Sequence, residues 1–229
     1  MTIPNNYIVS KIPSKETYSW LLKKHYARRI PSISFAFGLY NFNLLCGVLT
    51  IGTPASSPLR EGVCGKENID YVYELNRLCI NDYMPKNTLS YFVAAVLKKL
   101  PSMILISYAD TEQGHNGYIY QSTNWLYTGL SAKRTDWKVK GKEHLHGQII
   151  ADEFRGIKNR SKAMKEKYGD DFYLKDRSRK HRYVYFIGSK KQKNHWKSKL
   201  LYNEEPYPKG ENSRYDTSYR PVTQLPLFM

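Results

Sequence analysis

The feature that most constrains the fold is a strand–helix–strand pattern in the middle of the chain. Residues 71–80 alternate in polarity as a half-buried strand does, and residues 103–108 form a short apolar run. Between them, Asn87 or Thr88 can cap a helix that extends to Leu100. A connection of this kind implies two parallel strands joined by a right-handed crossover. The pattern therefore predicts an α/β fold.

The same alternation makes a prediction about the charge inside the first strand. It places Arg77 on the same face as Leu75 and places Glu74 on the opposite face. A charge in mid-strand is costly unless it is paired or faces a cleft. Arg77 is therefore expected to pair with a carboxylate other than Glu74 or to bind a substrate, and the sequence leaves both open.

The flanking segments predict further elements. A helix is predicted over residues 14–29, with one face formed by Tyr18, Leu21, Leu22 and His25. Four more strands are predicted, at 33–39, 44–51, 125–129 and 182–188. The central sheet is therefore expected to have helices on its faces.

Length and composition limit the class of protein. A chain of 229 residues with 41% hydrophobic residues is long enough for one well-packed domain. No apolar run approaches the roughly 20 residues that span a bilayer, and the N-terminal residues lack the layout of a signal peptide. The three cysteines show no CxxC spacing, which is typical of reduced thiols in a cytosolic protein. We therefore expect a cytoplasmic protein with no membrane partner.

Positive charge is concentrated in the second part of the chain. The formal charge is +16, with +4 in residues 1–129 and +12 in residues 130–229. Segments 133–142 and 177–199 interleave cations with Trp and Tyr, a mixture that suits phosphate contacts and base stacking. With a pI near 9.6, this pattern predicts a nucleic-acid partner. A merely solvated basic surface is the alternative.

The chain divides into a predicted catalytic domain and a tail. Residues 1–200 are expected to form the domain, with a basic DNA-binding insertion around 130–200. Within it, segment 155–180 is strongly charged with few apolar residues, which predicts a helical or loop excursion outside the core. Residues 201–229 are polar and interrupted by proline, which predicts a flexible tail.

Residues 107–129 hold the strongest candidates for chemistry. Asp110 directly follows an apolar strand, the place where α/β folds usually carry functional groups. Its carboxylate is a candidate general base, metal ligand or helix cap. His115 lies between two glycines on the following loop, from which it can reach a substrate, although a loop His is more often only solvated.

Three upstream residues add to these candidates. His25 and Tyr26, together with Asp110, form a nitrogen and oxygen donor set that suits iron or manganese. A His near a helix C-terminus also interacts favourably with the helix dipole, without any metal. Ser90 lies in the first turn of a predicted helix, where free amides bind anions, although a plain capped helix is commoner.

Four stretches carry a resemblance to a known family: His25-Tyr26, ELNRLCI (74–80), PKNTLSYF (85–92) and above all residues 107–129. On these the chain resembles the Mom family of phage DNA-modification proteins, over about residues 20–150. The resemblance implies a single GNAT-like acyltransferase fold, an α/β fold with a mixed central sheet flanked by helices and here a basic C-terminal extension. It also implies modification of the N6 amine of adenine in double-stranded DNA by a carbamoylmethyl group, which protects a phage genome from restriction.

The resemblance also implies a set of functional residues. It points to Tyr26, Arg77, Ser90 and Asp110 as catalytic positions, and to His25, Tyr26 and Asp110 as iron ligands. The residues expected to bind the adenine follow Asp110 in the chain: His115, Tyr118, Tyr120, Asn124 and Trp125. Core packing is the alternative for at least two of these aromatic residues.

The sequence does not identify the compound that donates the transferred group. Acyltransferases of this fold carry a glycine-rich Q/RxxGxG/A loop that binds the pyrophosphate of acyl-CoA, whereas residues 80–89 here read INDYMPKNTL, without glycine. The donor is therefore acyl-CoA or another activated compound. Two other functions remain as alternatives, an N-acetyltransferase for a protein or small amine and a non-catalytic DNA-binding protein.

The chain ends in a second motif. The sequence QLPLF resembles the pentapeptide by which bacterial replication proteins dock on the sliding clamp, and its docking residues are Gln224, Leu225, Leu227 and Phe228. In that motif the glutamine forms hydrogen bonds and the apolar side chains fill a pocket. The host sliding clamp is therefore an expected partner, and packing of the C-terminus on its own domain is the alternative.

Deleting residues 224–229 is expected to abolish binding to the sliding clamp, because it removes every side chain of the motif. Pull-down with purified clamp measures the effect, and an unchanged melting temperature shows that the domain remains folded. Retained clamp binding by the folded deletion variant would contradict this expectation.

Overall fold

The computed structural model describes residues 7–145 and 147–211, without the side chain of Gln148. Nine strands lie in this part of the chain: β1 (Tyr7–Lys11), β2 (Phe35–Asn41), β3 (Leu44–Gly52), β4 (Val72–Ile80), β5 (Met103–Asp110), β6 (Leu126–Leu130), β7 (Arg134–Val139), β8 (Phe172–Arg177) and β9 (Lys180–Ile187). Its α-helices are α1 (Ser57–Cys64), α2 (Thr88–Leu97), α3 (Tyr118–Gln121), α4 (Gly147–Asp152), α5 (Arg160–Tyr168) and α6 (Lys190–Ser198). Among these helices, none is long and apolar enough to cross a membrane.

The described residues form two compact units. The first contains the chain up to Leu130 and from His181 onward, and the second contains Ser131–Lys180. The first unit holds a seven-stranded mixed sheet in the order β1-β2-β3-β4-β5-β9-β6. Because β6 and β9 pair antiparallel, the second unit is inserted in the chain between two neighbouring strands.

The predicted parallel crossover is confirmed. β4 and β5 pair in parallel, with α2 between them in the chain. Three side chains of α2, Phe92, Val93 and Val96, are fully buried against one face of the sheet. α2 ends at Leu97 rather than at the predicted Leu100. This crossover fixes the mixed α/β class of the first unit.

The predicted helix over residues 14–29 is wrong in its end and in half of its predicted face. A 3-10 turn, Ser14–Thr17, leads into a π-helical turn, Trp20–Lys24, and the backbone leaves the helix at His25. Of the predicted face, Leu21 and His25 are buried, whereas Tyr18 and Leu22 are exposed. π-helical turns are rare in proteins, and those that do occur often lie at functional sites.

An ion pair of a buried lysine fixes the end of this helical segment. Lys24 is only 3% exposed, and its ammonium lies 2.8 Å from a carboxylate oxygen of Asp82, which is 36% exposed. Asp82 lies two residues after the end of β4, so the pair ties the π-turn to the end of that strand. A buried charge of this kind depends strongly on its partner, and the pair therefore anchors the residues that follow the turn.

A β-bulge in β4 turns Arg77 away from its predicted face. Along the ladder with β3, Thr50 faces Arg77 and Ile51 faces Leu75, which leaves Asn76 as the extra residue. Directly opposite residues of paired strands share a face, and a bulge reverses the alternation beyond it. The prediction that Arg77 shares a face with Leu75 is therefore wrong.

The side chain of Asn76 holds the bulge in place. Its carbonyl oxygen accepts a hydrogen bond from the hydroxyl of Thr50 at 2.6 Å, and its amide donates to the carbonyl of Ser32 at 2.8 Å. With the alternation reversed, Glu74 and Arg77 lie on the same face of the sheet rather than on opposite faces. The bulge thus brings together two charges that strict alternation would separate.

The second unit has a small core of its own. Strands β7 and β8 pair antiparallel, and the core is formed by Val139, Ile150, Phe154 and Met164. The predicted helical or loop excursion does lie outside the core of the first unit, but it is not without a core, because Met164 of α5 is fully buried in the second one. The unit carries 15 Lys and Arg against 8 Asp and Glu, and it is strongly basic despite this core.

The prediction of a flexible tail is wrong for its first part. The backbone N–H of Leu201 donates to the carbonyl of Val63, and that of Glu205 donates to the carbonyl of Tyr127, each at 2.9 Å. These bonds dock the segment against the first unit. Residues 212–229 lie outside the described part of the chain.

Replacing Asn76 by Ala is expected to destabilise the protein by about 1–3 kcal/mol, because the Thr50 hydroxyl is fully buried and loses its acceptor. Chemical denaturation measures the free energy of unfolding. Asn194→Ala, at an exposed position of α6, is the control and should change it by less than about 0.5 kcal/mol. Equal stability of the two variants would show that the bulge does not depend on this side chain.

Candidate active site

The candidate site lies where β4 and β5 separate. The two strands pair over only three residues each, 72–74 with 104–106. At the point of separation, the Ser107 hydroxyl donates a hydrogen bond to the carbonyl of Leu75 at 2.7 Å. Past this bond the ladder does not continue. The two strands therefore leave an opening in the sheet, and the following side chains surround it.

Arg77 supplies the positive charge of the opening. One terminal nitrogen donates to the carbonyl of Asn76 at 2.6 Å, and the buried Nε has no hydrogen-bond partner among the described residues. Burial lowers the pKa of the guanidinium, although an arginine keeps its charge at any physiological pH. A buried N–H without an acceptor is costly. Arg77 is therefore suited to bind an oxygen atom of a substrate.

His25 and Tyr26 enter the site from the end of the π-turn. Their rings stack with centroids 4.4 Å apart, and His25 is only 6% exposed. Nδ1 of His25 accepts a hydrogen bond from the backbone N–H of Ala27 at 3.0 Å. Because Nδ1 is an acceptor, the neutral ring carries its proton on Nε2. The stack and this bond fix the orientation of both rings.

Asp110 and His115 enter the site from the end of β5. Asp110 is 6% exposed, and its Oδ1 accepts a hydrogen bond from the N–H of Glu112 at 3.1 Å. It therefore caps the 3-10 turn Thr111–Gln113, which is one of the roles predicted for it. The N–H of His115 donates to the carbonyl of Asp110 at 3.1 Å. The His115 ring meets Tyr26 edge-on, with centroids 6.1 Å apart.

The charges of these groups set their protonation states. Burial and the negative charge of Asp110 raise the pKa of Tyr26 to about 12, and the charge of Arg77 opposes this rise. Burial lowers the pKa of His115, and Asp110 opposes that change. At neutral pH, Tyr26 is therefore a phenol that donates a hydrogen bond, and His115 is a neutral imidazole that can accept a proton.

Ser90 and Asn124 lie at a groove rather than in this cluster. Ser90 is in the first turn of α2, where its hydroxyl donates to the carbonyl of Asn87 at 2.9 Å. Both residues line a groove of about 660 Å³, together with residues of β9 and α6. The contacts of the described residues do not connect either side chain with Tyr26 or Asp110.

The three aromatic candidates have different surroundings. Tyr120 and Trp125 belong to the core of the first unit, and the hydroxyl of Tyr120 is bonded to Ser107 at 2.7 Å. Tyr120 and Trp125 therefore pack in the core, which was the alternative to a role in binding adenine. Tyr118 is 60% exposed at the start of α3, two residues after Asn116. Among the three, Tyr118 has the surface available for contact with a base.

A family model described as the Mom protein family matches residues 6–209. The chain belongs to the Mom protein family. No curated protein matches the sequence. The predicted family is therefore confirmed, and the match extends from β1 into the docked part of the C-terminal segment.

Solved structures similar to this Mom-family protein include three acetyltransferases. An N-acetyltransferase from Staphylococcus aureus Mu50 is 11% identical, with a TM-score of 0.43, and covers 80% of this chain and 100% of its own. A GNAT family acetyltransferase from Elizabethkingia anophelis with acetyl-CoA bound is 9% identical, with a TM-score of 0.44 and the same coverage. The ribosomal-protein-S5-alanine acetyltransferase from Vibrio fischeri is 8% identical, with a TM-score of 0.43 and coverage of 82% and 97%.

The predicted iron site is not supported. No group of three or more His, Cys, Asp or Glu that could hold a metal ion occurs among the described residues. Of the predicted ligands, His25 is engaged at Nδ1 by a backbone N–H. The described residues therefore give no support to an iron site.

Two site residues were missed by the sequence analysis. Glu74 influences the pKa of both Tyr26 and Arg77, although alternation had placed it on the other face. Ser107 bridges the separating strands. An asparagine in the middle of a predicted strand was the available signal for the bulge, whereas the sequence contained no signal for the bridging hydroxyl.

The terminal site residues predicted for the sliding clamp, Gln224, Leu225, Leu227 and Phe228, lie outside the described part of the chain. Clamp binding therefore stays a prediction, and no geometry is assigned to it.

Two substitutions are expected to move the pKa of Tyr26 in opposite directions. Asp110→Asn should lower it, because the carboxylate disfavours the phenolate, and Arg77→Gln should raise it further, because the guanidinium favours the phenolate. Carbon NMR of labelled tyrosine, titrated at high pH, measures both changes. The same direction of change in the two variants would contradict the proposed cluster.

Proposed function

We propose that this Mom-family protein is a transferase that modifies the N6 amine of adenine in double-stranded DNA. The group expected from the family resemblance is of the carbamoylmethyl, or acetamido, type. The observation that carries the proposal is the convergence of Tyr26, Arg77, Asp110 and His115 on the opening between β4 and β5. This set combines a proton acceptor, a hydrogen-bond donor and a buried cation.

The chemistry requires activation, because the N6 lone pair is delocalised into the adenine ring. The new N6–carbon bond forms as the bond from that carbon to the leaving group of an activated donor breaks. One N6 proton must then pass to a base. His115, neutral because burial lowers its pKa, accepts this proton, and Asp110 stabilises the imidazolium that results. Arg77 and Tyr26 bind oxygen atoms of the transferred group.

Basic residues of each unit support binding to DNA. The second unit has a formal charge of +7, and four exposed lysines lie on α6, at positions 190, 191, 193 and 197. Lys and Arg contacts to phosphates supply most non-specific affinity for DNA. Chemistry on a base in a duplex also requires the base to leave the stack. Exposed Tyr118 is suited to stack against a displaced base.

Modification at N6 would also protect DNA from restriction. The N6 amine is the hydrogen-bond donor that adenine presents in the major groove. A substituent on it removes one donor and fills the space that a restriction enzyme must occupy. The proposed biological role, protection of a phage genome, follows from this change in the groove.

Asp110→Asn is expected to lower the rate of adenine modification by about 10²–10⁴, the usual contribution of acid–base catalysis. The rate is measured on a duplex oligonucleotide, with donor supplied by cell extract and products detected by nucleoside mass spectrometry. Asp70→Asn is the matched control, since its side chain is 92% exposed, and it should retain the wild-type rate.

Two results would contradict the proposal. One is wild-type modification by a folded Asp110→Asn protein. The other is binding of DNA without modification by the wild-type protein, together with acetylation of a protein or small amine when acetyl-CoA is added. The second result would favour an ordinary N-acetyltransferase.

A further inference from the structure

The docked C-terminal segment extends along the edge of the main sheet. The backbone N–H of Glu205 bonds to the carbonyl of Tyr127 in β6, the last strand of the sheet, at 2.9 Å. Two residues later, the Tyr207 hydroxyl donates to the carbonyl of Trp125 at 2.7 Å. Residues 205–210 are called the C-terminal strap below. Its first half is held by the backbone of β6 and the residue before it.

The second half of the strap reaches the loop that carries His115. The carbonyl of Gly210 accepts a hydrogen bond from the side-chain amide of Asn116 at 2.8 Å. The carbonyl of Pro208 accepts one from the side-chain amide of Gln121 at 3.3 Å. The two hydrogens of that amide are shared with two further acceptors, the carbonyl of Asn116 at 3.2 Å and the hydroxyl of Tyr183 at 3.1 Å. Asn116 is therefore linked to the strap both directly and through Gln121.

Tyr183 of β9 supports the same loop. Its hydroxyl donates to the carbonyl of Asn116, and its ring lies so close to Gly117 that a Cβ there would be 2.3 Å from a ring carbon. Gly117 also has a φ of +81°, which strongly favours glycine. The Tyr183 and Tyr207 rings are neighbours, 6.5 Å apart. Asn116 is thus hydrogen-bonded both to Tyr183 of β9 and to Gly210 of the strap.

His115 is the neighbour of Asn116, and its ring lies against Tyr26. Loops rich in glycine and polar residues have few apolar contacts and open easily. The loop of His115 contains two glycines and is exposed or half-buried between Thr111 and Asn116. The hydrogen bonds between Asn116, the strap and Tyr183 therefore restrain this loop.

We propose that the C-terminal strap positions His115 for proton transfer, so that a segment far from the site in sequence is part of its machinery. Asn116, Gln121 and Tyr207 are positioning residues, because they act through His115 and touch no reacting atom. The inference rests on the proposed function for the identity of the proton, but the position of His115 is measurable without DNA.

Two truncated proteins test the proposal. Ending the chain after Glu204 removes the strap, whereas ending it after Glu211 keeps the strap and is the control. Because the strap holds the loop that places the His115 ring against Tyr26, loss of the strap should shift and broaden the ring proton signals of His115. Proton NMR at a single pH, with the signals assigned from His115→Gln, measures the change. The rate of adenine modification should fall by at least about tenfold, with KM for DNA unchanged.

A pair of point variants keeps the test valid if the shorter truncation fails to fold. Tyr207→Phe removes the bond to the Trp125 carbonyl and should shift the His115 ring signals in the same direction, by less. Tyr202→Phe, in the same segment but before the strap, is the control and should leave these signals unchanged. Unchanged His115 ring signals in folded protein without the strap, or in Tyr207→Phe, would overturn the proposal. If the wild-type protein modifies no adenine while His115 shifts as expected, the proposed function fails and the positioning role stands.

Discussion

The site depends on the β-bulge at Asn76. Without the extra residue, Arg77 would follow Leu75 into the core that α2 covers, where a guanidinium has no partner. With it, Arg77 lies on the face reached by Tyr26, and Glu74 lies beside it. Bulges are frequent next to active sites because they re-aim a single side chain. Here one asparagine, bonded to Thr50 and Ser32, determines which groups meet.

A second constraint is the early separation of β4 and β5. Parallel strands that remained paired would fill the opening with backbone hydrogen bonds. Separation lets side chains from three parts of the chain converge: the π-turn, the bulged strand and the end of β5. Burial then sets their protonation states, since it raises the pKa of Tyr26 and lowers that of His115. The separation of β4 and β5 thus determines where these side chains meet, and their burial at that point determines their protonation states.

The sequence predicted the family, the α/β class and the parallel crossover, because periodicity and a distinctive stretch of residues encode them locally. It also predicted Arg77, Asp110 and His115 as site residues, and the fold brings all three close to Tyr26. It could not predict the face of Arg77, since a bulge depends on the partner strand. The end of the first helix was missed because the Lys24–Asp82 pair, which spans distant positions, stabilises it. The docking of residues 201–210 rests on backbone hydrogen bonds, which composition does not reveal.

The most direct measurement of the central claim is the identity of the modified atom. DNA from cells that produce the protein is digested to nucleosides, and fragmentation mass spectrometry locates any added mass. The account predicts a deoxyadenosine derivative whose extra mass stays with the base and is attached at N6. An adenine pool without added mass, in cells that contain folded protein, would contradict it.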